Sequence, residues 1–129
     1  MMMKFDLAFA DKEGRWPWRI ERDWCKNRNP AKDGDCDIRS LLRQMSLLTW
    51  AEITRQRTGG KDRRKKHHPQ ALDSLVFDAR KRWQELEREE DELFRFRGNG
   101  KLRLWGFRQV ATFYIVWWDP THDIYPVDR

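Results

Sequence analysis

Three arginines, a histidine and a tyrosine near the C-terminus have the types and spacing to handle a phosphate. Arg95 and Arg97 alternate with Phe94 and Phe96, so they share one face of a strand, and Arg103 lies on the strand-like stretch that follows. Cross-strand pairing gathers the three if their faces coincide. Clustered guanidiniums grip a phosphate bidentately. His122 can move a proton near neutral pH, and Tyr125 can hydrogen-bond a phosphate or a ribose. The competing readings are structural. Strand arginines can face solvent and pair with the acidic run Glu85–Glu92, and a histidine after a turn can bond Asp119 or Asp123.

A second group is the stretch RQRTGGKDRRKKHH, residues 55–68, with seven basic side chains, two histidines and one acid, Asp62. Lys61, Arg63, Arg64, Lys65, Lys66 and His67 form a candidate nucleic-acid-binding set, because closely spaced cations neutralise phosphates and release counterions. The bland alternative is a solvated loop, or an arm covered by an acidic partner. His67 and His68 have no second ligand pair at zinc spacing, so no metal or other cofactor is expected. No glycine-rich phosphate loop or nucleophile elbow is present.

Elements must position these residues. The period-2 pattern of Phe5, Leu7 and Phe9 predicts a strand over 4–10. Residues 1–36 then continue as an irregular, tryptophan-rich segment. Ile38, Leu41, Leu42, Met45 and Leu48 follow helical spacing, predicting a helix over 37–47. TWAE, residues 49–52, is a capping box that starts a second short helix to about Arg57. A basic loop over 59–69 and a longer helix over 72–90 follow. Residues 91–129 read as a β-meander: LFRFR, a GNG turn, KLRLWGF, a turn near RQVA, the doubly buried strand TFYIVWW, an Asp-Pro turn and a last short strand over 122–127. Trp117 and Trp118 face opposite ways, one into the core and the other onto a helix or a stacked base. The plan is α+β: a twisted antiparallel sheet of four or five strands, with two or three helices packed on one face.

Composition bounds the rest. The chain of 129 residues suits a single domain, 1–129. Its net charge of +6 favours polyanions, and its eight tryptophans argue against disorder. Cys25 and Cys36 are too few for a disulfide framework. No apolar run is long enough to span a membrane, and MMMKFDLAFADKEGRW has no signal-peptide core, so a cytoplasmic protein without membrane contact is expected.

ELFRFRGNGKLRLWGFRQVATFYIVWWDPTHDIYP resembles the C-terminal half of the RelE/ParE-type toxin superfamily. Leu93, Arg95, Arg97, Arg103, Tyr114–Trp117, His122 and Tyr125 fall in the order of that family's closing meander. The same third of the chain is also similar to uncharacterised bacterial and phage proteins carrying LWG-R and WWDP-H. The tryptophan-rich segment and WWDP itself depart from the toxin pattern. The resemblance implies a RelE-like, metal-independent endoribonuclease in which a 2′-hydroxyl attacks the adjacent phosphate. His122 and Tyr125 would handle protons, with Arg95, Arg97 and Arg103 as phosphate clamps. RNA or the ribosome, and an acidic antitoxin protein, would be its partners. The alternative is a non-catalytic phage or mobile-element protein that binds nucleic acid or inhibits a host complex. A third possibility is an interaction module without nucleic acid.

Overall fold

Aromatic side chains alternate along three successive strands and split the interior into two layers. The computed structural model describes residues 1–18, 37–59, 64–98 and 100–126. The strands are β1 (Lys4–Asp6), β2 (His68–Ala71), β3 (Glu92–Arg97), β4 (Arg103–Gln109) and β5 (Thr112–Asp119), in the order β1-β5-β4-β3-β2. The meander β3–β4–β5 and the pair β2–β3 are antiparallel, while β1 adds to β5 in parallel, so the sheet is mixed. The α+β plan therefore holds.

On one face, Phe94, Phe96, Leu104, Phe113 and Ile115 pack with Leu41, Leu42 and Met45 of α1 (Asp37–Met45) and with Trp50 and Ile53 of α2 (Trp50–Arg55). Trp50 meets Phe94 edge to face at 5.2 Å between centroids, a favoured aromatic geometry. The capping box read from TWAE is present. Thr49 Oγ1 accepts from Glu52 N at 3.1 Å, and Thr49 N donates to Glu52 Oε1 at 3.0 Å.

On the other face, Leu93, Trp105, Phe107, Val116 and Trp117 pack with Ala79 and Trp83 of α3 (Phe77–Glu85). Helices thus cover both faces, where one was expected. The physical reason is that both faces of the meander are apolar along most of its length, so each demands a cover. Burying a tryptophan also requires a partner for its N–H. Trp83 donates to Glu90 O at 2.9 Å and Trp117 to Asp11 Oδ2 at 3.0 Å. Asp11 is buried and also takes a bidentate bond from Arg82 at 2.9 and 2.8 Å. This ion pair pins the N-terminal segment over the sheet.

Several boundaries differ from the sequence reading. The first strand stops at Asp6, whose Oδ1 accepts from Ala8 N and turns the chain. Phe5, Leu7 and Phe9 stay partly exposed. Helix α1 ends at Met45 and α2 at Arg55. The expected helix over 72–90 is a 3₁₀ turn, Leu72–Ser74, followed by α3. Leu75 and Val76 between them are extended, and Val76 N donates to Ile124 O, a bond no continuous helix could make. Glu87, at φ 58°, ends α3 early. Trp16 and Trp18 of the tryptophan-rich segment are core residues; Trp24, Cys25 and Cys36 lie outside the described residues. Among the described residues, no helix is long and apolar enough to cross a membrane.

Candidate functional site

The register of the sheet puts the polar residues of four strands into two neighbouring rungs on the α3 face. One rung runs His68, Arg95, Trp105, Trp117; the next runs Arg97, Arg103, Asp119. Residues two apart on a strand share a face, so both rungs look the same way. Trp105 and Trp117 lie in the α3 core, so the arginines continue that face to the end of the sheet where β3 stops and β4 starts. The alternation of LFRFR and the pairing of β3 with β4 therefore bring Arg95, Arg97 and Arg103 together, as the sequence predicts.

The turn after β5 comes back to the same end. Asp119 is fully buried, and its two carboxylate oxygens accept from Asp123 N and Ile124 N, each at 3.0 Å. The Asp-Pro turn is thereby clamped, and the chain passes through His122 in the left-handed region at φ 60°. The expected strand over 122–127 does not form. Residues 122–126 are irregular chain, bend and turn, and Asp119 takes the backbone N–H groups of Asp123 and Ile124 that a ladder would need; Val127 lies outside the described residues.

His122 sits within electrostatic reach of all three arginines. Partial burial lowers its pKa from the ordinary histidine value, then Arg103, Arg95 and Arg97 lower it further, against the opposing carboxylate of Asp119. The imidazole is thus held neutral at pH 7. Burial raises the pKa of the Asp119 carboxyl, and its two backbone bonds oppose that. Tyr125, half-buried against the α3 core, is near enough to Arg95 to favour its charge.

The arginines differ in depth. Arg95 is fully buried and donates from Nη2 to Lys66 O at 2.7 Å. Arg103 is 3% exposed and donates from Nη1 to Gly100 O and Leu102 O, both at 2.8 Å. Burial, then the neighbouring guanidiniums, push Arg95 down to about 9 and Arg103 down to about 10; both remain cations at neutral pH. Arg97, half-buried, completes the group. The competing idea that the acidic run neutralises these arginines is not what Glu85 and Glu90 do: they bond Arg82 and Arg88.

The basic segment divides. Lys61 and Arg63 lie outside the described residues. Arg64 and Lys65 are exposed and Lys66 is half-buried. His67, expected to bind nucleic acid, is fully buried on the opposite face, 5.2 Å from the Phe96 ring. Its Nδ1 accepts from Arg97 N at 3.0 Å, so Nε2 carries the proton and donates to Gln56 Oε1 at 3.1 Å. Burial, then Lys66 and Arg95, push His67 down to about 3. The correction is one residue of register: β2 begins at His68, and it is His68 that stands opposite Arg95. Pro69 and the preceding charges hide this strand of four residues, whose half-buried positions are the polar His68 and Gln70 and so leave no apolar alternation in the sequence. The Asp-Pro pair signals the turn but not that Asp119 takes the N–H groups of Asp123 and Ile124.

Among the described residues no group of three or more His, Cys, Asp or Glu side chains is placed to hold a metal ion. The arrangement can hold an anion: Arg95, Arg97 and Arg103 are within electrostatic reach of one another and of His122, and Asp119 stands beside Arg103 and His122. No family model, curated protein or solved structure matches the chain, so the reading of this site rests on its own geometry.

Proposed function

We propose that this cluster binds a phosphodiester of RNA and cleaves it without a metal, the chemistry that the C-terminal resemblance implies. The observation that carries the reading is the convergence of Arg95, Arg97, Arg103 and His122 from two strands and a turn. Neighbouring guanidiniums can meet a phosphate with bidentate, charge-assisted bonds. In the reaction, neutral His122 takes the proton from a 2′-hydroxyl. The 2′-oxygen bonds to phosphorus, and the arginines stabilise the charge that builds on the phosphate oxygens. The bond to the 5′-oxygen breaks, and Tyr125 supplies the proton to that leaving group. The products are a 2′,3′-cyclic phosphate and a 5′-hydroxyl.

The depth of Arg95 and Arg103 favours a second reading. Their bonds to backbone carbonyls leave Arg97, His122, Arg64 and Lys65 as the groups a ligand meets first, which suits non-catalytic RNA binding. Expression in bacteria separates the two. Catalysis predicts growth arrest that Arg97→Ala and His122→Gly each relieve while the purified variants keep the wild-type circular dichroism spectrum. Binding alone predicts arrest, if any, that survives His122→Gly. In either case RNA affinity falls with salt, and Arg97→Ala lowers that slope by about 0.7, the value for one phosphate of a single strand.

A further inference from the structure

Strand β1 is outermost at one end of the sheet, and all three of its residues are exposed. Lys4 N donates to Ala111 O at 3.0 Å, so Lys4 turns its N–H towards β5. Backbone groups alternate in direction along a strand, so Phe5 points its N–H and C=O away from β5, to the open edge. Met3 N faces the same way but already donates to Leu48 O at 3.0 Å. Asp6 closes the other end by its turn with Ala8. The open edge is therefore short, Lys4–Asp6, and centred on Phe5. Large apolar side chains stand exposed around it: Phe5 at 43%, Leu7 at 36%, Leu47 at 72% and Val110 at 73%. Leu47 precedes the residue that bonds Met3, and Val110 precedes the residue that bonds Lys4. Apolar surface gathered in this way marks an association surface. The other edge of the sheet, β2, carries Pro69, which has no N–H to offer.

We propose that this edge pairs with the same edge of a second copy of the chain, the two β1 strands running antiparallel about a twofold axis at Phe5. The sequence Lys4-Phe5-Asp6 is self-complementary in that arrangement. The two Phe5 residues donate N–H to C=O in both directions and become a hydrogen-bonded pair. Lys4 of each copy then stands opposite Asp6 of the other, in the closer, non-hydrogen-bonded pairing of about 4.5 Å between Cα atoms. Opposite charges facing each other across strands attract, and both side chains are exposed. Asp6 Oδ1 holds Ala8 N at 2.7 Å, which leaves Oδ2 for the lysine. Beyond Asp6, Leu7 of one copy reaches the Leu47–Leu48 segment of the other, because Leu48 occupies the edge beside Met3. Each surface thus meets itself, as a twofold dimer requires. A ladder of three residues makes a small interface, so association is weak and depends on concentration. β1 pairs with Thr112–Tyr114, at the far end of β5 from Asp119, so the dimer leaves both arginine clusters open. Dimerisation is independent of any reaction at those clusters.

The test is sedimentation velocity of the full chain from micromolar to millimolar concentration. The wild type should pass from monomer to dimer across that range. Lys4→Asp sets acids opposite acids, and Asp6→Lys sets lysines opposite lysines, so each variant alone should associate about tenfold more weakly, or less still. An equimolar mixture of the two variants restores opposite charges at both positions and should form a heterodimer of wild-type strength. Both positions are exposed, so each variant should keep the wild-type circular dichroism spectrum. A wild type that stays monomeric throughout refutes the pairing. So does a dimer that both variants form as readily as the wild type, or a weakening that mixing does not reverse.

Discussion

At the scale of single residues, two histidines carry opposite duties. His67 is a buried neutral hub joining the end of α2 to the last residue of β3. Its pKa is about 3 in the folded chain against 6.5 ordinarily. Between those values the unfolded chain binds a proton that the folded chain refuses, so stability rises with pH across this window and is complete above 6.5. The contribution is on the order of a few kcal/mol. Thermal melts should show a midpoint that falls as pH drops from 6.5 towards 3, and His67→Gln should flatten that dependence. His122 faces the arginines instead. Its left-handed backbone costs roughly 1–2 kcal/mol for a residue with a Cβ. His122→Gly removes the imidazole and relieves the strain, so we expect a variant at least as stable as the wild type in urea titration, yet inactive on RNA. As a base, His122 must be neutral. Because burial, and then the arginines, lower its pKa below 6.5, activity should be flat around pH 7 and decline only as pH falls beneath the ordinary histidine value.

At the scale of elements, the site depends on the register between β4 and β5. The ladder slips between Trp105 and Gly106, and this slip keeps Arg103 opposite Asp119 while Trp105 stays opposite Trp117. Gly106 permits it. A Cβ there would stand 2.0 Å from Tyr114 O, a backbone atom that cannot swing aside. Gly106→Ala should therefore cost about 3 kcal/mol or more, read as a drop in the urea midpoint, and should lower RNA binding with it. Much of this element plan was legible in the sequence. The LFRFR alternation, the Thr49–Glu52 box and the doubly apolar TFYIVWW all carry strong local signals, and each found its place. What failed was decided by tertiary contacts. Nothing local tells a reader that Val76 leaves the helix to bond Ile124, that HPQA adds an edge strand, or that Asp119 takes the N–H groups of the final segment. The arginine cluster could be anticipated from period-2 spacing, but its burial could not, since that comes from α3 and the turn closing over the end of the sheet.

At the scale of the whole molecule, charge is sorted rather than spread. The exposed basic residues Arg64 and Lys65 lie just before His67, whose ring accepts from Arg97 N at the end of β3. In the proposed reaction the arginine cluster and His122 act together on one phosphodiester. The most direct measurement incubates the purified chain with RNA in the presence of a chelator and analyses the new ends. Fragments ending in 2′,3′-cyclic phosphate are expected with the wild type and are expected to be lost in both His122→Gly and Arg97→Ala. Intact RNA with the wild type, or cleavage by either variant at the wild-type rate, would contradict the proposed reaction.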